Sequence, residues 1–289
     1  MQVVTLIAQA GGLSADRVDG LRAAWQGHGL RWLADAEAAE FAVDSAQDDQ
    51  WEVWQDLQDA GIDLVVQPEA GRRKSMLLAD MDSTMIGQEC IDELADEAGV
   101  GDHVKDITAR AMNGELDFEK ALVERVALLK GLDAGIIQRV FDERITFTPG
   151  GKALIATMKA HGGYAALVSG GFTSFTSRVA AALGFDEHHA NTLIEENGRL
   201  IGDVGRPILG REAKVEQLHA ISAARGLTPA DVIAVGDGAN DLGMLGLAGS
   251  GVALHAKPVV AAECDIRINH GDLTALLFLQ GYARDQFAQ

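Results

Sequence analysis

The chain has 289 residues, 47% of them hydrophobic, an ordinary globular composition with enough length for one large domain or two modest ones. Lys and Arg number 24 against 43 Asp and Glu, giving a net charge of −19, which argues against nucleic acid and anionic membranes as partners. Any phosphate pocket on so acidic a chain has to gather positive charge locally, from a metal ion or a few placed cations.

Met1–Ala8 lacks a basic leader and reads as a strand rather than a signal peptide. No apolar run is long enough to span a bilayer, so a soluble cytoplasmic protein is expected. Residues 1–70 read as a small α+β domain. Val3–Ala8 is a strand, and Ser14 is an N-cap for a helix carrying Val18, Leu21 and Ala24. Asp35–Asp49 is rich in acid and alanine. Trp51, Trp54 and Leu57 fall at helical spacing and read as a core stripe, and Leu64–Val66 is a further strand. Gly71-Arg72-Arg73-Lys74 is a short basic link. The two cysteines, Cys90 and Cys264, lie in no metal-binding or redox spacing and are expected as free thiols.

The apolar run Met76–Ala79 predicts a buried strand that delivers Asp80-Met81-Asp82-Ser83-Thr84. Two carboxylates one residue apart at a strand end suit phosphoryl chemistry, one attacking phosphorus and the other handling the proton. A bare Asp-x-Asp turn is also commonly just solvated. Residues 85–148 then turn helical. Ile91, Leu94, Ala95 and Ala98 form one apolar stripe, and Phe118, Leu122, Val126 and Leu129 form another. Arg125 shares the second stripe; it is either paired with an anion or snorkels at the stripe's edge.

From residue 149 strands and helices alternate. Strands are expected at 164–168, 232–235, 251–254 and 265–268, with a hairpin turning at Asn197-Gly198. The pattern predicts an α/β fold: a doubly wound parallel sheet built from 71–84 and 149–289, interrupted after its first strand by a helical cap at 85–148. A cap inserted there lies over the carboxyl edge of the sheet, where ligands bind.

Strand 164–168 leads into Ser169-Gly170-Gly171, which can offer a hydroxyl and bare N–H groups to an anion; a tight turn fits it equally well. It lacks the endings of a nucleophile elbow or a P-loop. Strand 232–235 leads into Gly236-Asp237-Gly238-Ala239-Asn240-Asp241. Asp237 would repel a pyrophosphate, so a dinucleotide site is rejected and a hard cation such as Mg²⁺ suits the carboxylates better. Lys214, early in a helical stretch, is either solvated or poised to neutralise a phosphate oxygen. His188-His189 has no partners at zinc spacing and reads as structural or surface.

Taken together, the Asp80–Thr84 motif, Ser169-Gly170-Gly171, Lys214 and Gly236–Asp241 resemble, in that order, the haloacid dehalogenase superfamily, and within it the phosphoserine phosphatases, over roughly 200 residues. The resemblance implies a haloacid dehalogenase-like core and Mg²⁺-dependent hydrolysis of L-phosphoserine to L-serine, the last step of serine biosynthesis. It implies Asp80 as nucleophile and Asp82 as acid and base. Mg²⁺ would be held by the Asp80 carboxylate, the Asp82 backbone carbonyl and Asp237. Ser169, Gly170, Gly171, Lys214 and Asn240 would hold the phosphate, with Asp241 in support. Glu89 would meet the substrate ammonium, Arg125 its carboxylate, and Met112 and Phe118 would close over it. The N-terminal domain resembles the family only loosely; a regulatory role and a homodimer are compatible with the sequence. A phosphotransferase on the same scaffold, or an amino-acid-binding protein with a vestigial site, are the competing readings; the intact set Asp80, Asp82, Lys214 and Asp237 argues against the latter.

Overall fold

The computed structural model describes residues 1–45 and 47–288. The N-terminal part runs β1 (Gln2–Ala8), α1 (Ala15–Ala24), β2 (His28–Ala34), β3 (Ala38–Val43), α2 (Gln50–Gln58) and β4 (Ile62–Pro68). Its sheet has the order β2-β3-β1-β4, with every neighbour antiparallel. The side chains alternate along β1. Val4, Leu6 and Ala8 pack with Leu13, Val18, Trp25 and Leu57 under the two helices, whereas Ile7 faces the rest of the molecule with Val65, Leu33 and Ala38. Ser14 caps α1 as expected, its hydroxyl accepting from the Arg17 amide.

Strands β2 and β3 were not foreseen. The acid- and alanine-rich stretch hides β3, because Ala38 and Ala39 are buried by sheet packing and not by any propensity of their own. The tryptophan stripe is only partly core. Trp54 packs against the small domain's core, but Trp51 is 41% exposed, and the Arg267 guanidinium lies 4.3 Å from its ring centroid.

The rest of the chain runs β5 (Met76–Ala79), α3 (Cys90–Glu97), α4 (Gly101–Met112), α5 (Phe118–Ala127), α6 (Ile136–Arg144), α7 (Gly151–Ala160), β6 (Tyr164–Phe172), α8 (Thr173–Leu183), β7 (Glu187–Asn191), β8 (Leu193–Glu196), β9 (Arg199–Val204), α9 (Arg211–Ala224), β10 (Val232–Gly236), α10 (Leu242–Leu247), β11 (Ser250–Leu254), α11 (Pro258–Glu263), β12 (Ile266–Ile268) and α12 (Ala275–Leu279). The main sheet is parallel throughout, in the order β12-β11-β10-β5-β6-β7. Both faces are buried. Leu77, Ala165, Leu167, Ile233 and Val235 face one side with α7, α8 and α12, while Met76, Leu78, Ala166, Val168, Val232 and Ala234 face α9, α10 and α11. Continuous apolar strands are what such double cover requires.

From β5 the chain winds outward through β6 and β7, and from β10 it winds the other way through β11 and β12. The β5/β10 boundary is therefore the switch point of the sheet, where the loops part and leave a crevice beyond the carboxyl ends. Helices α3–α6 stand between β5 and β6. The hairpin β8–β9 turns at Asn197 and Gly198, both with positive φ as a tight hairpin turn demands. It braces the helical block: the Gly131 amide donates to the Leu200 carbonyl at 2.8 Å, and the Leu200 amide donates to that of Leu132 at 2.9 Å. No helix among the described residues is long and apolar enough to cross a membrane.

The basic link is held on both sides: Arg72 reaches the N-terminal part, and Arg73 and Lys74 fasten the link to the part that carries the main sheet. Arg72 donates to Glu40 at 2.6 Å, Arg73 stacks over Tyr282 at 4.0 Å, and Lys74 donates to the Ala230 carbonyl at 2.8 Å.

Candidate active site

Asp80 is the first residue beyond β5, and its amide still donates to the Val235 carbonyl of β10 at 3.0 Å. Its carboxylate is thereby fixed at the switch point. Asp237 follows the neighbouring β10, and Ser169 lies on β6, so three adjacent strands converge on one crevice. The Ser-Gly-Gly segment is not a loop after a short strand, as expected. β6 continues to Phe172, with its pairing to β7 shifted between Val168 and Phe172.

Lys214, on the first turn of α9, is wholly buried. Its ammonium donates to Asp241 Oδ1 at 2.6 Å and stands 2.8 Å from Asp80 Oδ1. Removing such a charge from water is tolerated only with partners of this kind, and the two carboxylates hold the ammonium strongly protonated against its burial. Asp241 is fully engaged: its Oδ2 accepts from the Asp237 and Gly238 amides at 3.1 Å each, which shapes the loop beyond β10.

Asp82 sits beside this group. Its Oδ1 accepts from the Cys90 amide at 2.9 Å, and its Oδ2 receives a long contact from the Ser169 hydroxyl at 3.4 Å. Burial, helped by repulsion from Asp80, pushes the Asp82 carboxyl up to about 6. Burial and the Asp241 charge push Asp80 up to about 7 against the pull of Lys214. Asp237 is also raised, by burial first and then by Glu89, Asp241 and Asp80.

Carboxylates thus outnumber the cations in this crevice, and they cannot all stay ionised without further positive charge. Carboxylate oxygens of Asp80, Asp237 and Asp241 lie within 4.8 Å of one another. Thr84 donates to Asp237 Oδ1 at 3.3 Å, whereas the buried Asp237 Oδ2 has no hydrogen-bond partner. An orphaned carboxylate oxygen among oxygen donors fits a hard divalent cation. Because Asp241 is saturated by Lys214 and two amides, Asp80 and Asp237 are the freer donors. Among the described residues the His188–His189 pair joins no such cluster; His188 bonds the Thr176 hydroxyl at 3.0 Å and His189 pairs with Glu187 at 3.2 Å.

The glycines let neighbouring side chains close on the backbone, and the Gly171 amide donates to Ser169 Oγ at 2.9 Å, which orients that hydroxyl. A β-carbon on Gly171 would stand 2.4 Å from Asp82 Oδ2, and one on Gly170 would stand 2.5 Å from Phe118 Cζ. Phe118, at the start of α5, thus presses on the Ser-Gly-Gly segment. Met112, at the end of α4, has its sulfur 2.7 Å from where a β-carbon on Gly238 would be. Asn240 Nδ2 approaches Gly170, and its Oδ1 is buried without a partner. The helical block is therefore closed onto both loops.

Arg125 is only 2% exposed. Its Nη1 donates to Thr108 Oγ1 at 2.9 Å and its Nε to the Ala121 carbonyl at 3.1 Å; among the described residues no acceptor takes a hydrogen bond from Nη2. Glu89, Asp92 and Asp82 supply the surrounding negative charge. The arginine is buried and oriented rather than snorkelling at an edge. Glu89, half-buried at the start of α3, accepts from the Ser83 hydroxyl at 2.7 Å, and burial together with Asp82 pushes it up to about 7.

Three further residues organise the site, and two of them, Asp92 and Asn191, carried no signal of their own. Asp92 accepts from the Thr108 hydroxyl at 2.6 Å, setting the group that holds Arg125. Asn191, buried on β7, donates to the Gly170 carbonyl at 2.8 Å and accepts from the Leu209 amide at 2.7 Å, tying the glycine segment to the lead-in of α9. Thr84 was visible only as a hydroxyl in the first motif.

A family model of haloacid dehalogenase-like hydrolases matches residues 77–246. The chain belongs to this family of hydrolases. It is 44% identical over 243 residues to the phosphoserine phosphatase of Archaeoglobus fulgidus, covering 82% of this chain and 70% of that one. It is 41% identical to the phosphoserine phosphatase of Streptomyces coelicolor, of whose length it spans 62%. Among solved structures, a haloacid dehalogenase family hydrolase from Salmonella enterica serovar Typhi superposes with a TM-score of 0.85 at 29% identity, covering 98% of each chain. A substrate-bound phosphoserine phosphatase complex gives 0.69 at 42% identity, covering 71% of this chain and 98% of that one. The first of these matches includes the N-terminal domain; the second leaves part of the chain unmatched.

Proposed function

We propose that the protein is a Mg²⁺-dependent phosphatase that hydrolyses L-phosphoserine to L-serine through an aspartyl-phosphate on Asp80. The observation that carries this reading is the meeting of Asp80, Lys214 and Asp237 beyond two adjacent parallel strands, beside a carboxyl that can hold a proton. The names of the relatives support the substrate.

Asp80 attacks phosphorus as the bond from phosphorus to the serine oxygen breaks. Asp82 gives its proton to that oxygen, which leaves as the alcohol. Asp82, now ionised, takes a proton from the water that attacks the aspartyl-phosphate, and Asp80 is released with inorganic phosphate. Lys214, Ser169, Asn240 and the Gly170-Gly171 backbone hold the equatorial oxygens, where charge is spread in the transition state, the Gly171 amide doing so only by exchanging its 2.9 Å bond to the Ser169 hydroxyl. The Asp80 carboxylate, the Asp82 carbonyl and Asp237 would hold Mg²⁺, which when bound would supply Lewis-acid neutralisation of the phosphate charge.

Substrate choice falls to the helical block. The substrate carboxylate meets the free edge of Arg125, its ammonium meets Glu89, and Met112 and Phe118 shut out water. The reaction is the closing step of serine biosynthesis and belongs in the cytoplasm. Phosphate release from L-phosphoserine, with and without Mg²⁺ and beside p-nitrophenyl phosphate, tests the reading. Mg²⁺-dependent preference for phosphoserine is expected; activity on the aryl ester alone would discard the substrate.

A further inference from the structure

Asp63, on β4 of the N-terminal domain, is wholly buried; among the described residues it forms no ion pair with a Lys or Arg, and the His270 ring is the titratable group near it. It is paired instead with backbone. Oδ1 accepts from the Asn269 amide at 2.8 Å, and Oδ2 accepts from the amides of His270 at 3.1 Å and Gly271 at 2.8 Å. Three successive N–H groups turned toward one carboxylate form an anion nest, filled here by a side chain of the other domain. Asn269 is tied to the same domain again, donating to Gln58 at 2.7 Å.

The nest leads to the catalytic crevice in short, continuous steps. The Gly271 carbonyl bonds His255 Nε2 at 2.7 Å, and the His255 amide donates to the Ile268 carbonyl at 2.8 Å. His255 follows β11 with a positive φ of 46°, a conformation a non-glycine residue keeps only when its surroundings impose it. Two residues on, the Lys257 amide donates to the Asp237 carbonyl at 3.0 Å, and its ammonium is 3.9 Å from the unpartnered Asp237 Oδ2. His255, Lys257, Asp237 and Ser83 line one cavity of about 390 Å³ that opens beside the carboxylate cluster.

We infer that Asp63 is a positioning residue for the cation site. Through the 269–271 nest and His255 it fixes the 255–257 turn, which holds Asp237. The inference rests on the proposed metal role of Asp237. It gives the N-terminal domain a part in the chemistry that needs no ligand of its own.

The test is Mg²⁺ binding by isothermal titration to the full-length protein without substrate, for the wild type, Asp63→Asn, His255→Gln, their double variant, and Glu40→Gln. The last breaks another contact between the same domains without touching the nest. Asp63→Asn is expected to weaken Mg²⁺ binding about 3- to 10-fold, within the roughly 2- to 30-fold that coupling through a contiguous network spans. His255→Gln should do the same, and the double variant should lose no more than the worse single one, because both act along one route. Glu40→Gln should bind Mg²⁺ as the wild type does. Folding of each variant is read from its far- and near-ultraviolet circular dichroism, and if Asp63→Asn does not fold, His255→Gln against Glu40→Gln decides alone. Unchanged binding in the nest variants, or equal weakening in Glu40→Gln, would overturn the inference. Failure of the wild type to bind Mg²⁺ would instead overturn the proposed metal site.

Discussion

In the proposed mechanism Asp82 gives up a proton at one step and takes one back at the next, and its setting suits both. The Cys90 amide fixes Oδ1, while burial lets the carboxyl hold a proton near neutrality. Its contribution should depend on the leaving group. Asp82→Asn is expected to slow phosphoserine turnover by about 10²- to 10⁴-fold, as for loss of a general acid, and to slow formation of the phosphoenzyme from p-nitrophenyl phosphate far less. Equal losses in that step would remove the acid role. Arg125 is the matching test of selectivity. Arg125→Ala should cost about 1.5–3 kcal/mol in kcat/KM for phosphoserine, the worth of a charge-assisted pair, but little for a phosphate ester lacking a carboxylate. Asp80 and Asp82 were legible in the sequence because strand, motif and chemistry follow one another within a few residues. What orients Arg125 was not, because Asp92 and Thr108 sit on separate helices and meet it only once α3, α4 and α5 pack.

At the scale of elements, the end of β6 does two jobs, closing the sheet against β7 and presenting Ser169 and the glycine backbone to the crevice. Gly171 permits both. Its φ is not in the left-handed region, so Gly171→Ala should leave the fold intact, yet the added methyl would stand 2.4 Å from Asp82 Oδ2. Displacing that carboxylate by about an ångström, as relief of the contact requires, is expected to lower kcat by about 10²-fold, with circular dichroism unchanged. Wild-type rates in this variant would mean the carboxylate has room that the structure does not give it. The sequence announced β5, β10 and β11, whose apolar runs are unbroken because both faces of the sheet are covered. It concealed the true length of β6, because Ser-Gly-Gly carries turn propensity and is held extended by its neighbours. It also hid β3, whose alanines become core only between β2 and β1. The hairpin at Asn197-Gly198 was legible, but its work as a brace for the helical block was not.

At the scale of the molecule, two folded parts are held together by buried charge. Glu40 accepts from Arg72 at 2.6 Å and from Arg31 at 2.6 Å. Burial alone would raise its carboxyl, but the hydrogen bonds and charges of Arg72 and Arg31 outweigh burial and hold it below the ordinary value of 4.5. A group whose folded value is depressed stabilises the fold above its unfolded value and loses that contribution as pH falls through the folded one. Glu40→Gln should therefore melt below the wild type at neutral pH, with the gap narrowing as the pH drops under 4.5. A gap independent of pH would show that the ion pairs contribute nothing. That the chain builds two separate sheets was readable from the change of pattern at the basic link; that Arg72 reaches across to Glu40 was not, since its partner lies far away in sequence.

The account turns on the aspartyl-phosphate. The most direct measurement is to quench the protein in acid during turnover of phosphoserine labelled with ³²P and to map the labelled peptide. The account predicts a hydroxylamine-labile phosphoryl group on the peptide carrying Asp80, absent in Asp80→Asn while that variant stays folded. Label on another residue, or turnover surviving in Asp80→Asn, would contradict it.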